Sequence, residues 1–133
     1  MRRTGAHAHL DVHGDEALPH VFASRGLPPG PHLGPGRLRL YESFDGAMLR
    51  EGGGAYQTRR GYPEGRKLNR RIAATWSSLH LGAVGLTLEL PFRDCLELPD
   101  ASGGWTSALS RTLGAAAVRA LGQMVPMLGV EQP

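Results

Sequence analysis

The sequence contains very little cysteine and no long apolar run, and each shortage excludes a class of protein. Cys95 is the sole cysteine among 133 residues, so no disulfide can form within the chain. A chain without disulfides suits a reducing cytosol, and we expect a cytoplasmic location. No apolar run approaches the roughly 20 residues that span a bilayer. The basic start, Met1 to Gly5, is not followed by the apolar segment of a secretion signal, so we expect no membrane partner.

Lysine is also scarce, because arginine supplies almost all of the positive charge. Lys67 is the only lysine among 15 basic residues, which with 12 acidic residues give a net charge of +3. The arginines form short, separate clusters at positions 2–3, 59–60 and 66–71. Nucleic-acid-binding proteins usually concentrate their positive charge on one element with aromatic side chains nearby. We therefore expect no nucleic-acid partner.

Two segments alternate between apolar and other residues with a period of two, which indicates β-strands. The first runs from His7 to His13, and its second face carries polar residues only: His7, His9, Asp11 and His13. The second runs from Gly82 to Leu90, with leucine and valine on one face and small residues leading to Glu89 on the other. Gly14 ends the first strand, and Pro91 ends the second.

Three other segments have helical spacing, at about 37–50, 69–80 and 106–128, with Pro126 expected to kink or end the last. Residues 27–36 and 56–65 are predicted loops. In the middle helix we expect one apolar stripe to face the core, formed by Leu68, Ile72, Trp76 and Leu79. The order of strand, helices, strand and helix predicts one α/β domain over residues 1–133.

His13 and Glu89 are the candidate catalytic residues, because both lie near the carboxyl ends of predicted strands. Active sites of α/β sheets gather at that edge. A strand fixes the direction of His13, which suits a metal ligand, and Asp11 or Asp15 would orient its imidazole. A carboxylate such as Glu89 takes a proton from metal-bound water. Solvent-facing histidines and a surface carboxylate are the alternative interpretation.

Several segments together resemble a known family. They are residues 11–19, Gly61-Tyr62-Pro63 with Asn69, residues 87–94, and Trp105 with the Ala-rich helix that follows it. In this order they resemble the zinc metallocarboxypeptidases related to carboxypeptidase A, and in particular the cytosolic-carboxypeptidase-like branch. The resemblance runs from about Thr4 to Leu128.

The resemblance implies the mixed-sheet α/β/α fold of that family, a Zn²⁺ cofactor and hydrolysis of the last peptide bond of a peptide or protein tail. His13 corresponds to the last of three zinc ligands. Glu89 corresponds to the general base that takes a proton from the zinc-bound water and then acts as the general acid. Tyr62 corresponds to a tyrosine that contacts the substrate.

The family's first two zinc ligands, a His-x-x-Glu pair, and its substrate-clamping arginines lie upstream of the third ligand. Met1 stands directly before the segment that resembles that third ligand. We therefore expect the C-terminal portion of a carboxypeptidase domain, weak or inactive alone, that requires an N-terminal half or another copy of itself.

Three alternatives stay open. Residues 13–16 are themselves a His-x-x-Glu string, so they would be the first two ligands if His20, His32 or His80 were the third. The chain would otherwise be a non-catalytic remnant that binds a peptide or a partner chain. The third alternative is a sibling zinc amidohydrolase of the desuccinylase or aspartoacylase type.

Overall fold

Three strands and three helices make up the part of the chain that the computed structural model describes, which is residues 5–28, 30, 33–63, 67–98 and 104–129. In chain order they are β1 (Ala8–Asp15), β2 (Phe22–Arg25), α1 (Pro35–Glu51), α2 (Ala73–Leu81), β3 (Val84–Pro91) and α3 (Ser107–Met124). A 3-10 turn, Val125–Met127, follows α3. The prediction of an α/β fold is confirmed.

The sheet has the order β1-β3-β2, with β3 in the centre. β1 runs parallel to β3, and β2 runs antiparallel to it. The two predicted strands are confirmed, with β1 extending to Asp15 and β3 to Pro91. β2 was not predicted, because its four residues are too few to show a periodic pattern.

One face of the sheet packs against α1 and α3 and forms the main core. Its largest fully buried side chains include Tyr41, Phe44, Met48, Leu86, Leu88 and Leu113. α1 begins with Pro35, which is tolerated in a first turn because the first amide groups lack helical acceptors anyway. α3 begins after Thr106, whose hydroxyl oxygen accepts a hydrogen bond from the amide of Leu109. It ends at Met124, two residues before Pro126.

The opposite face packs against α2, and here the prediction of the apolar stripe is wrong. The side chains of Ile72 and Leu79 are 40% and 38% exposed. The buried residues of α2 are instead Ala74, Thr75, Ser77 and Ser78. These small side chains let the helix approach the sheet closely, and the Ser78 hydroxyl accepts a hydrogen bond from the amide of Gly85 at 3.1 Å. The helix also begins later than predicted, at Ala73.

Among the described residues, no helix combines the length and the apolar character that crossing a bilayer requires. β1 pairs within this part of the chain with β3 alone, so its other edge carries no strand among the described residues. The predicted loop at 27–36 is described only in part, and His32 lies outside the described residues.

Candidate active site

His13 and Glu89 are register partners on the adjacent parallel strands β1 and β3. Paired residues of neighbouring strands project to the same face of a sheet, so both side chains lie on the α2 side at the carboxyl edge. Both line one cleft of about 590 Å³. Glu89 is 5% exposed, whereas the side chain of His13 is 55% exposed. The structure thus brings the two predicted residues together, one buried and the other open to solvent.

The imidazole of His13 lies beside Asp11, one of the two carboxylates predicted to orient it. Nε2 of His13 lies 3.1 Å from Oδ2 of Asp11, both on the same face of β1. This is a close contact between an imidazole and a carboxylate, the arrangement in which a carboxylate orients a histidine ligand. Among the described residues, Nδ1 of His13 has no hydrogen-bond partner.

The carboxylate of Glu89 is set in surroundings that favour its protonated form. Burial raises its pKa, while the hydrogen bond from Tyr62 and the charge of His13 lower it. The neighbouring carboxylates Asp15 and Asp11 raise it again. A carboxyl group whose pKa is raised toward the working pH exchanges protons readily, which is the property of a general acid or base.

Tyr62 reaches the same place from the loop that precedes α2. Its hydroxyl donates toward Oδ2 of Asp15 at 2.8 Å and toward Oε1 of Glu89 at 3.1 Å. Its ring packs edge-on against Phe22 of β2, with the centroids 5.1 Å apart. Burial and the two carboxylates raise the pKa of the Tyr62 phenol. The third predicted residue therefore lies beside Glu89, although 27 positions separate them in the chain.

Two further residues near Glu89, Asp15 and Phe22, were not predicted from the sequence to lie where the structure places them. Asp15 is buried, and its Oδ1 accepts the amides of Ala17 and Leu18 at 2.7 and 3.0 Å. Such a turn after a strand is a usual place for aspartate, so nothing in the local pattern pointed to Tyr62 as a further partner. Phe22 pairs in register with Glu89 across β2 and β3. Its position near the site was not predicted, because the strand β2 itself was not predicted.

The described residues do not by themselves fit a complete catalytic zinc site. Such a site needs three protein ligands, and no group of three or more His, Cys, Asp or Glu suited to a metal occurs in the described part of the chain. Nδ1 of His20 lies 2.8 Å from Oε1 of Glu97, and the ring of His80 packs against Trp76. Neither histidine joins His13 in a ligand set among these residues. The described residues therefore offer one imidazole ligand and a buried carboxylate.

The chain is similar in fold to solved structures of metallo-carboxypeptidases. The chain is 33% identical to a metallo-carboxypeptidase from Pseudomonas aeruginosa, determined in complex with (2-guanidinoethylmercapto)succinic acid, and the TM-score is 0.85. That match covers 96% of this chain and 34% of the other. A metallo-carboxypeptidase from Burkholderia cenocepacia is 30% identical at a TM-score of 0.81, over 94% of this chain and 33% of the other.

No family model matches the sequence. Among curated proteins, an uncharacterized protein of Zymomonas mobilis is 32% identical over 98% of this chain and 34% of its own length. The chain thus spans about a third of the length of the relatives it matches. Its fold is that of the corresponding part of a metallo-carboxypeptidase.

Proposed function

We propose that this chain carries part of a zinc metallo-carboxypeptidase site that hydrolyses the C-terminal peptide bond of a peptide or protein. One observation carries the proposal: His13 and Glu89 are register partners at the carboxyl edge of adjacent parallel strands, and they line one cleft with Tyr62. The similarity to metallo-carboxypeptidases over nearly the whole chain supports it. We further assign the chain to the C-terminal portion of the domain, in the cytosolic-carboxypeptidase-like branch, and to the cytoplasm.

In this proposal each residue acts through a named atom. His13 would offer an imidazole nitrogen to the metal, with the carboxylate of Asp11 beside its Nε2 to orient the ring. Glu89 accepts a proton at a carboxylate oxygen and returns it to the leaving amine, a role that suits a buried carboxyl group with a raised pKa. Tyr62 presents its hydroxyl to the substrate in the same cleft, beside Glu89.

The remaining metal ligands would come from residues outside the described ranges or from another polypeptide. A second copy of this chain and a separate N-terminal half are the two partners we propose, beside the peptide tail that serves as substrate. The two arrangements differ in their dependence on protein concentration, since a site shared between copies is populated only as the copies associate.

The test is zinc retention and peptidase activity on the purified chain. Zinc is measured after loading and desalting for the wild type and for His13→Ala. His9→Ala is the matched control, because His9 lies on the same face of β1 but bonds Ser77 at 2.9 Å. Release of the last residue is followed with benzoyl-glycyl dipeptides that end in phenylalanine, arginine or glutamate, at several protein concentrations.

We expect zinc to be lost in His13→Ala and kept in His9→Ala. We expect Glu89→Gln to lower the rate of hydrolysis by about 10²–10⁴-fold, the usual contribution of a general base. Hydrolysis that Glu89→Gln leaves unchanged would contradict the role of Glu89. A chain that retains no zinc and releases no amino acid at any concentration would contradict the arrangement in which copies of this chain complete the site.

A further inference from the structure

Two carboxylates compete for one phenol in the cleft. The hydroxyl of Tyr62 lies 2.8 Å from Oδ2 of Asp15 and 3.1 Å from Oε1 of Glu89. A phenol has a single hydrogen, so at any moment it donates fully to only one of the two acceptors. The shorter contact is the one to Asp15, which makes Asp15 the preferred acceptor.

Asp15 is itself held in place by the ends of two strands. Its Oδ1 accepts the amides of Ala17 and Leu18, and its backbone carbonyl accepts the amide of Phe92 at 3.3 Å, directly after β3. The side chain is 6% exposed. Because Oδ1 is occupied by two amides, the carboxylate cannot rotate freely, and Oδ2 stays directed at Tyr62.

Tyr62 is placed by its ring as well as by its hydroxyl. The ring packs edge-on against Phe22, and a β-carbon on the preceding Gly61 would lie 3.0 Å from the same Phe22 ring. The loop is tied to the sheet at its start, where the amide of Gln57 donates to the carbonyl of Val21 at 3.1 Å. The hydroxyl therefore remains near both carboxylates, and the distribution of its hydrogen depends on which carboxylate is the better acceptor.

We propose that Asp15 is a positioning residue, which holds the hydroxyl of Tyr62 and thereby leaves Oε1 of Glu89 free to accept a proton. Its functional consequence rests on the proposed role of Glu89 as the base. Without an acceptor at position 15, the hydrogen bond of the phenol to Glu89 is no longer weakened by competition from Asp15. A hydrogen bond to the charged form of a carboxylate stabilises that form and makes it a weaker base.

The decisive variant is Asp15→Asn. Asparagine caps backbone amides about as well as aspartate, so the bonds to Ala17 and Leu18 are preserved. Its amide nitrogen only donates, so it cannot accept the phenol hydrogen. Glu42→Gln is the matched control, because Glu42 is an exposed carboxylate of α1, on the other face of the sheet.

The first readout does not depend on catalysis. The Cζ resonance of Tyr62 reports on hydrogen bonding of the phenol, and it is assigned in ¹³C-tyrosine-labelled protein by comparison with Tyr62→Phe. We expect Asp15→Asn to shift this resonance more than Glu89→Gln does, and Glu42→Gln to leave it in place. A larger shift in Glu89→Gln than in Asp15→Asn would overturn the assignment of Asp15 as the preferred acceptor.

The second readout is kinetic, on whichever benzoyl-glycyl dipeptide the wild type hydrolyses fastest. We expect Asp15→Asn to lower kcat about tenfold, the size of effect expected from the loss of one hydrogen bond. We expect KM to change less than about twofold. In a Tyr62→Phe background the same substitution should have no further effect, because the competing phenol is gone. A loss in kcat that persists there would show a structural role for Asp15 and overturn the inference.

The two readouts separate the two proposals. Absence of hydrolysis by the wild type at every protein concentration would contradict a site completed by copies of this chain, while the resonance of Tyr62 still decides whether Asp15 holds the phenol. Hydrolysis that depends on Glu89, together with an unmoved resonance in Asp15→Asn, would uphold the proposed function and overturn the inference.

Discussion

Gly85 faces the backbone carbonyl of Ala74 so closely that a β-carbon on Gly85 would lie 2.1 Å from that oxygen. Gly26, which donates its amide to the carbonyl of Gly85 at 2.8 Å, approaches the same oxygen, with a β-carbon 2.5 Å away. The two glycines therefore set the distance between α2 and the sheet. This distance matters for the cleft, because Thr75 of α2 and Glu89 of β3 both line it.

We expect Gly85→Ala to destabilise the protein by about 1–3 kcal/mol or more, because the clash is with backbone and cannot be relieved by rotating a side chain. Gly114→Ala is the matched control, since a β-carbon on Gly114 in α3 meets nothing within 4 Å. There we expect a gain of about 0.5–1 kcal/mol from helix propensity. Urea unfolding measures both, and equal stabilities for the two variants would refute the packing argument.

The contact between Gly14 and Phe92 gives a second prediction about glycine. A β-carbon on Gly14 would lie 1.9 Å from Cε1 of Phe92, whose side chain is 64% exposed and free to turn toward solvent. We expect Gly14→Ala to cost about 1 kcal/mol, from displacement of the ring out of its rotamer and its contact. The double variant Gly14→Ala with Phe92→Ala should recover the stability of Phe92→Ala alone. A persisting cost in that background would place the strain in the backbone of β1.

The stability of Glu89→Gln should differ from that of the wild type in a pH-dependent way. Burial raises the pKa of Glu89 above its ordinary value of 4.5, so the folded state favours the protonated form more than the unfolded state does. That stabilising contribution is present in full at acid pH and is lost as the pH rises through the raised pKa. Glutamine mimics the protonated form at every pH.

We therefore expect Glu89→Gln to melt a few degrees above the wild type at about pH 7, with the difference narrowing toward about pH 4. Thermal unfolding of both proteins across this range measures the difference. A gap that is the same at both ends of the range, or a variant that is less stable at pH 7, would contradict the assigned environment of Glu89.

The apolar stripe of α2 should tolerate substitution far better than the core. Leu79 is half-exposed and Leu88 is fully buried in β3, so the two leucines are matched in chemistry and differ in burial. We expect Leu79→Ala to cost about 0.5 kcal/mol, and Leu88→Ala about 2–5 kcal/mol because it leaves a cavity. Similar costs in urea unfolding would mean that the stripe is covered by another surface in solution.

Prediction from sequence succeeded where a local pattern carried the information. Alternation along 7–13 and 82–90 identified β1 and β3. The roles of His13 and Glu89 stay predictions, although the structure places the two side chains on one face. Prediction failed for the packing face of α2. Leu79 and its neighbours formed the obvious apolar stripe, yet the sheet presents Gly85 and Gly26 there, and only small side chains fit against them. A pattern of hydrophobicity does not show how close two backbones approach.

The sequence by itself determined which residues alternate, approximately where the strands and helices lie, and which side chains carry protonatable groups. The tertiary structure alone decided that β1 and β3 run parallel in a register that pairs His13 with Glu89. It also brought Tyr62 from a distant loop between Asp15 and Glu89. The physical reason is that burial and shared hydrogen bonds arise between segments that are far apart in the chain, and no local pattern of residues encodes them.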